Sequence, residues 1–205
     1  MKLTAFLFTT AATLVLASVS SAQMSPTFKR AAMLVQSDIQ KELKLDEKQK
    51  TDLKNAFGDA VQQNDDKGGI RIMLNQDTDI NEIEKDAIKV LKPAQLKRLN
   101  EIWIQQDGFL ALAAKDIREQ LKLDKDSTEK INDAIREHNE SMHEFFMSQG
   151  PVSDASDQEK VQKEIEKMKS KSNDSIKKLL TADQLKTWET MKGEEFKKKK
   201  KEAGG

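Results

Sequence analysis

Leu43-Lys44-Leu45-Asp46-Glu47-Lys48-Gln49 returns as Leu121-Lys122-Leu123-Asp124-Lys125-Asp126-Ser127, and Leu91-Lys92-Pro93-Ala94-Gln95-Leu96-Lys97 returns as Leu180-Thr181-Ala182-Asp183-Gln184-Leu185-Lys186. Two short patterns alternate, each occurring twice. Self-similarity of this kind marks a copied supersecondary unit, so the fold is read in halves. Physically, each pattern is a helix start. In Thr181-Ala182-Asp183-Gln184 the hydroxyl can accept from the backbone N–H of the third helical residue while Gln184 reaches back to the Thr181 N–H, which is a capping box. Leu180 with Leu185, and Leu91 with Leu96, stand where a hydrophobic staple closes across the start. Asp46 with Gln49 is an acidic version of the box, favoured by the positive end of the helix dipole. The copies are unequal: Lys92 is a poor cap, offset by Pro93 at the first helical position, and Ser127 stands where Gln49 has its counterpart. The motif residues Leu45, Asp46, Gln49, Leu91, Pro93, Gln95, Leu123, Asp124, Leu180, Thr181 and Gln184 are therefore expected to fix helix boundaries. Each cap is worth about 1 kcal/mol.

Outward from these starts, apolar residues recur at helical spacing. Behind Ser25-Pro26 they fall at Phe28, Ala32, Val35, Ile39 and Leu43, after Asp46 at Leu53, Phe57 and Val61, and then at Ile80, Ile83, Ala87 and Val90. Pro93 opens a helix with Leu96, Leu99 and Trp103, and Gly108 ends the first copy. Asp65-Asp66-Lys67-Gly68-Gly69 reads as a break. The second copy is expected to run as a helix over Phe109–Leu121. Next comes a helix from Asp124 with Ile131, Ile135, His138, Met142 and Phe145 on one stripe, stopping at Gly150-Pro151. A further helix starts near Asp154 and carries Val161, Ile165 and Met168, and the last runs from Thr181 through Leu185, Trp188 and Met191 to Gly193. Steps alternating four and three are those of a coiled-coil seam. No stretch alternates with period two over a useful length, so no sheet is expected.

The expected fold class is all-α: extended helical hairpins in two tandem copies, residues 23–109 and 110–193, with coiled-coil-like seams. Leu45 and Leu91 stand 46 positions apart whereas Leu123 and Leu180 stand 57 apart. The difference is about three helical turns, so the second hairpin should be the longer. A duplicated unit that cannot bury its apolar faces alone should use its neighbour copy, which predicts an internal pseudo-dimer and a monomeric or weakly homodimeric chain.

Residues 1–22 read as a secretory signal peptide, with Lys2 as the positive n-region, an apolar stretch from Leu3 to Ala17 and small residues Ser20-Ser21-Ala22 at the cleavage site. The apolar run is shorter than the roughly 20 residues of a spanning helix. A periplasmic or secreted protein with no membrane span is expected. Cysteine is absent, so there is neither a disulfide framework nor a thiol for lipid attachment. Lys and Arg number 35, balancing 35 Asp and Glu, and the signs are interspersed. Such a chain suits amphipathic helices with solvated faces and exerts no global attraction on nucleic acid. The exception is the basic tail 194–205, where Lys197, Lys198, Lys199, Lys200 and Lys201 are expected to be disordered and could touch an anionic surface.

For chemistry the sequence offers little. It has no Cys, no Tyr, no Gly-rich phosphate loop and no nucleophile elbow, so no enzyme and no cofactor is expected. A calcium loop on Asn75, Asp77 and Asp79 fails because Ile80 occupies the place of the obligatory glycine and no Glu closes it. The remaining cluster is His138, Met142, His143 and Met147. Imidazole and thioether four residues apart share a helical face and suit copper or another soft metal. The two pairs are nevertheless about 140° apart around the helix, so they do not converge on their own. His138 also lies on the apolar stripe, where a seam histidine with adaptable Met packing is the simpler reading.

Taken together, the four motifs, the export signal and the Cys-free helical composition resemble the LTxxQ-motif (Spy/CpxP-like) family of bacterial periplasmic proteins. Leu180-Thr181-Ala182-Asp183-Gln184 carries the full LTxxQ pattern; Leu45 to Gln49 and Leu91 to Gln95 match in part, and Leu123 to Ser127 has lost the Gln. The resemblance implies an ATP-independent chaperone or envelope-stress role, with unfolded or envelope proteins as partners. It leaves a second possibility, an envelope metal-binding or metal-sensing protein for copper or zinc.

Overall fold

The structure, a computed structural model, describes residues 26–64, 69–72, 78–149 and 155–197. The expected signal peptide at 1–22, the Ser25 cap, Asn75 and Asp77, the Gly150-Pro151 stop and Lys198–Lys201 lie outside the described residues. What is described is all-α save for one small hairpin.

The chain enters through α1 (Pro26–Ala32), passes a 3₁₀ turn at Met33–Val35 and an extended Gln36, and continues as α2 (Ser37–Glu42). The single helix expected as far as Leu43 is thus broken. Met33, Leu34 and Val35 are three consecutive apolar residues, and all three are buried. A continuous helix would spread them over about 200°, wider than one core-facing stripe. The break lets them all turn inward, and Gln40 Nε2 donates to Leu34 O at 2.7 Å, partnering a carbonyl exposed by it. The second copy repeats the device: a 3₁₀ segment Gly108–Ala113, an extended Ala114 and α6 (Lys115–Gln120) replace the expected helix over 109–121.

Each early motif is a stop as well as a start. After α2, Lys44 adopts φ 51 and donates its N–H to Lys41 O, while Leu45 donates to Gln40 O. Lys122, also at φ 51, donates to Glu119 O, and Leu123 to Arg118 O. That pair of bonds is the Schellman termination, here with lysine where glycine is usual. Asp46 then caps α3 (Glu47–Phe57) with a complete box, and Asp124 caps the helix Lys125–Ser148 by accepting from Ser127 N at 2.7 Å.

Beyond α3 the expectation of no sheet is corrected. Gly58, at φ 49, ends the helix, and β1 (Val61–Asn64) pairs antiparallel with β2 (Gly69–Ile72) in the register Val61 to Ile72 and Asn64 to Gly69. Ile70-Arg71-Ile72 does alternate, but over too few residues for a period-two signal to stand out. The helix α4 (Ile80–Lys89) follows, capped by Asp79, which accepts from Asn81 N and Glu82 N. It leads into α5 (Pro93–Asp107). In place of β1 and β2 the second copy has two long helices, α6 being followed by α7 (Lys125–Ser148) and α8 (Ala155–Lys177), and it closes with α9 (Ala182–Met191).

The core is common to both copies. Phe28, Leu34, Ile39, Leu99, Ile102, Trp103 and Ile104 from the first join Leu112, Ile117, Ile131 and Trp188 from the second in one buried cluster. The 3₁₀ segment Gly108–Ala113 is the hub, packing against α1, α5, α6, α7 and α8. The division expected between residues 109 and 110 falls inside that segment.

Candidate functional site

The four motifs are brought together in pairs, early with late within each copy. In the first copy Gln49 Nε2 donates to Gln95 Oε1 at 2.8 Å and Gln95 Nε2 donates to Gln49 Oε1 at 3.1 Å. Each amide also donates to a carbonyl in the other motif's approach, Gln49 to Val90 O at 2.9 Å and Gln95 to Leu43 O at 3.0 Å. Their oxygens still accept from Asp46 N and Lys92 N respectively. Lys92 has no side-chain acceptor, so its box is only half formed. Gln49 is 6% exposed, and every polar atom of its amide is engaged. Beyond capping, the glutamines are a clasp. In the second copy Gln184 completes the box with Thr181 and stretches toward Leu121 O at 3.5 Å, the place Gln95 takes on Leu43 O. With Ser127 opposite, the reciprocal amide pair cannot form. Motif spacing revealed the caps; it gave no sign of the clasp, whose partners are 46 residues apart.

A second polar group, which sequence patterning missed, ties the copies together around the hub. Asp107, 5% exposed, accepts from Trp103 Nε1 at 2.8 Å and Lys29 Nζ at 2.7 Å, with Lys169 Nζ at 3.5 Å. Arg30 donates from Nη1 to Asn100 Oδ1 and to both oxygens of Asp116, and its guanidinium lies 5.4 Å over the Trp103 ring. Asn173 of α8 accepts from Phe109 N and donates to Asp107 O at 3.3 Å. Buried polar groups are tolerated when they are paired, and a set of this kind fixes how the elements dock. Arg30 and Asp116 also line a cleft with Glu84, Lys115, Arg118 and Glu119. The one hint in the sequence is charge within an apolar window, at Lys29-Arg30 and Asp107.

The candidate metal residues lie along α7 and are not gathered. His138 Nδ1 is 2.9 Å from Ser172 Oγ on α8. Burial, and then Lys29, push the His138 ring below its ordinary value, while Asp107 acts the other way. Nδ1 of His143 is buried with no hydrogen-bond partner, Met142 is half-buried and Met147 is 71% exposed. Among the described residues no group of three or more His, Cys, Asp or Glu is placed to hold a metal ion.

What α7 and α8 do form is a two-helix arm. Its base is buried at Ile131, Ile135 and Ile176. Counted outward from the His138–Ser172 contact along antiparallel helices of equal rise, Met142 falls level with Met168 and Phe145 with Ile165. All four are half-buried, as is Val161. Phe146 is 43% and Met147 71% exposed, and they are the exposed large hydrophobic residues among those described. An arm of this kind offers mobile thioethers and aromatic edges beside abundant charge, a surface able to repack against varied apolar chains. Among the described residues no helix is long and apolar enough to cross a membrane.

Comparison with known protein families, with curated proteins and with solved structures finds no match to this chain.

Proposed function

We propose that the chain is an exported, ATP-independent interaction protein of the LTxxQ kind, one that holds unfolded or envelope proteins through the outer end of the α7–α8 arm and performs no catalysis. One observation carries this reading: Phe146 and Met147 stand exposed in the last turn of α7, at the end of the arm away from its buried base. The clasp supports the kinship, because it gives the early and late motifs of one copy a joint role. The test is aggregation of an unrelated denatured protein, followed by light scattering without nucleotide. The wild-type protein should slow it, and Phe146→Asp/Met147→Asp should lose most of that effect while keeping its helical spectrum. Curves matching an inert control protein would overturn the reading.

A second reading, copper or zinc capture on α7, is favoured by the unpartnered Nδ1 of His143 with Met147 one turn along. Its mark is calorimetric heat on metal addition that disappears in His143→Ala or His138→Ala.

A further inference from the structure

Past α9, residues 192–196 turn back against α5 as a strap. Gly193 takes φ 59 to start the return. Gln105 then reads the segment through its backbone alone: its Nε2 donates to Lys192 O at 2.5 Å and Glu194 O at 2.7 Å, and its Oε1 accepts from Phe196 N at 2.8 Å. Arg98 Nη1 adds a donor to Glu194 O at 2.7 Å. Phe196 is half-buried against the core and, with Ile104, Phe109 and Trp188, lines a cleft of about 790 Å³. Phe109 and Trp188 stack at 4.7 Å on its wall. Gln106 also lines this cleft, and its Nε2 is buried without a hydrogen-bond partner.

These contacts are those of a peptide site: side-chain amide and guanidinium groups hold main-chain atoms of any sequence, and an aromatic-lined cleft selects one large apolar side chain. We infer that the surface of α5 and α9 around this cleft is a binding site for an extended polypeptide bearing an aromatic residue, and that residues 193–196 cover part of it in cis as a stand-in for that ligand. The partner is a segment of an unfolded foreign chain. The inference rests on the reading that this protein binds unfolded chains, but it places a second contact on a surface separate from the arm. The cis segment competes at high effective concentration, so that part of the site stays covered until a better ligand displaces it. The spare donor on Gln106 gives such a ligand a hydrogen bond that the strap does not make.

The test uses full-length protein and a fluorescein-labelled peptide of the sequence 193–205, followed by anisotropy. Phe196→Pro removes both the ring and the N–H that Gln105 accepts, releasing the strap while leaving Gln105, Phe109 and Trp188 in place. This variant should bind the peptide at least about tenfold more tightly than wild type, since the tethered competitor is gone. A peptide with Ser in place of its Phe should not bind, and adding Gln105→Leu to the variant should abolish binding while its helical spectrum is retained. Equal affinity of wild type and Phe196→Pro would overturn the proposal, as would equal binding of the Phe-free peptide, which would mark the lysines as the cause. Concentration-dependent dimerisation of the wild type that Phe196→Pro abolishes would assign the cleft to a second copy and overturn the foreign partner. Phe146→Asp/Met147→Asp/Phe196→Pro should bind the peptide as Phe196→Pro does, so failure of the arm in light scattering leaves this result independent.

Discussion

At the scale of single residues, the glutamines of the repeated motif carry more than their caps. Truncating Gln49 or Gln95 to Ala removes a capping bond and also strands part-buried partners, Val90 O and the opposite amide in one case, Leu43 O and the opposite amide in the other. Each substitution should lower stability by about 2 kcal/mol, since unsatisfied buried groups cost more than the mean hydrogen bond contributes. The double variant should cost less than the sum, with a coupling of about 1 kcal/mol in a denaturant double-mutant cycle, because the two side chains share one clasp. Strict additivity would show that they act only as separate caps. Lys44 and Lys122 hold a left-handed conformation that costs a side-chain-bearing residue about 1 kcal/mol or more. Replacing Lys44 by Gly should therefore raise the denaturation midpoint and Lys44→Val should lower it. The caps were legible in the sequence because a cap and its partner lie three residues apart. Neither the clasp nor the positive φ of the lysines could be read there: the clasp depends on a contact 46 residues away, and lysine is not the residue that signals a left-handed turn.

At the scale of elements, periodicity found α3, α4, α5, α7, α8 and α9, although α5 buries Ile102, Trp103 and Ile104 on several sides and stays helical. It failed at the two breaks beside and within the hub. Met33-Leu34-Val35 and Leu110-Ala111-Leu112 satisfy a helical pattern locally, yet the hub needs all of them inward, so the helix breaks at Gln36 and again at Ala114. The arm carries a titratable group at its base. His138 meets Ser172 from α8, and Lys29 from α1, Asp107 from α5 and Lys169 from α8 act on its charge; burial and the two lysines outweigh Asp107 and favour the neutral ring. The unfolded chain then takes up a proton at about the ordinary histidine value near 6.5, before the folded one does. Stability from this group is complete above that pH, and is lost as the pH falls from there toward the depressed folded value. Urea melts of wild type should lose stability over that interval, and His138→Gln should flatten the slope there. At lower pH the carboxyl of Asp124, held below its usual range first by the Ser127 N–H, adds a second loss that His138→Gln leaves in place.

At the scale of the whole molecule, the duplication suggests two units, but the packing makes one. The hub Gly108–Ala113 contributes Leu110, Ala111 and Leu112 to a core that also contains Phe28 from α1 and Trp188 stacked on Phe109 near the C-terminus. Arg30 and Lys29 of the first copy are bonded to Asp116 of the second and to Asp107 beside the boundary. Neither half retains a closed core if the other unfolds, since cutting the hub would expose the walls that both copies share. Thermal or urea unfolding should accordingly be one cooperative transition despite the tandem sequence. The two tryptophans make the test local: Trp103 reports on the first copy and Trp188 on the second. In Trp188→Phe the fluorescence of Trp103 should trace the same midpoint as the loss of helical circular dichroism in that same variant, and the corresponding coincidence should hold for Trp188 in Trp103→Phe. Each substitution lowers the midpoint through lost packing, so the comparison is between probes within one variant rather than between variants. Separate midpoints in either variant would mean that the copies fold independently, with the hub acting as a linker rather than as the joint of a single core.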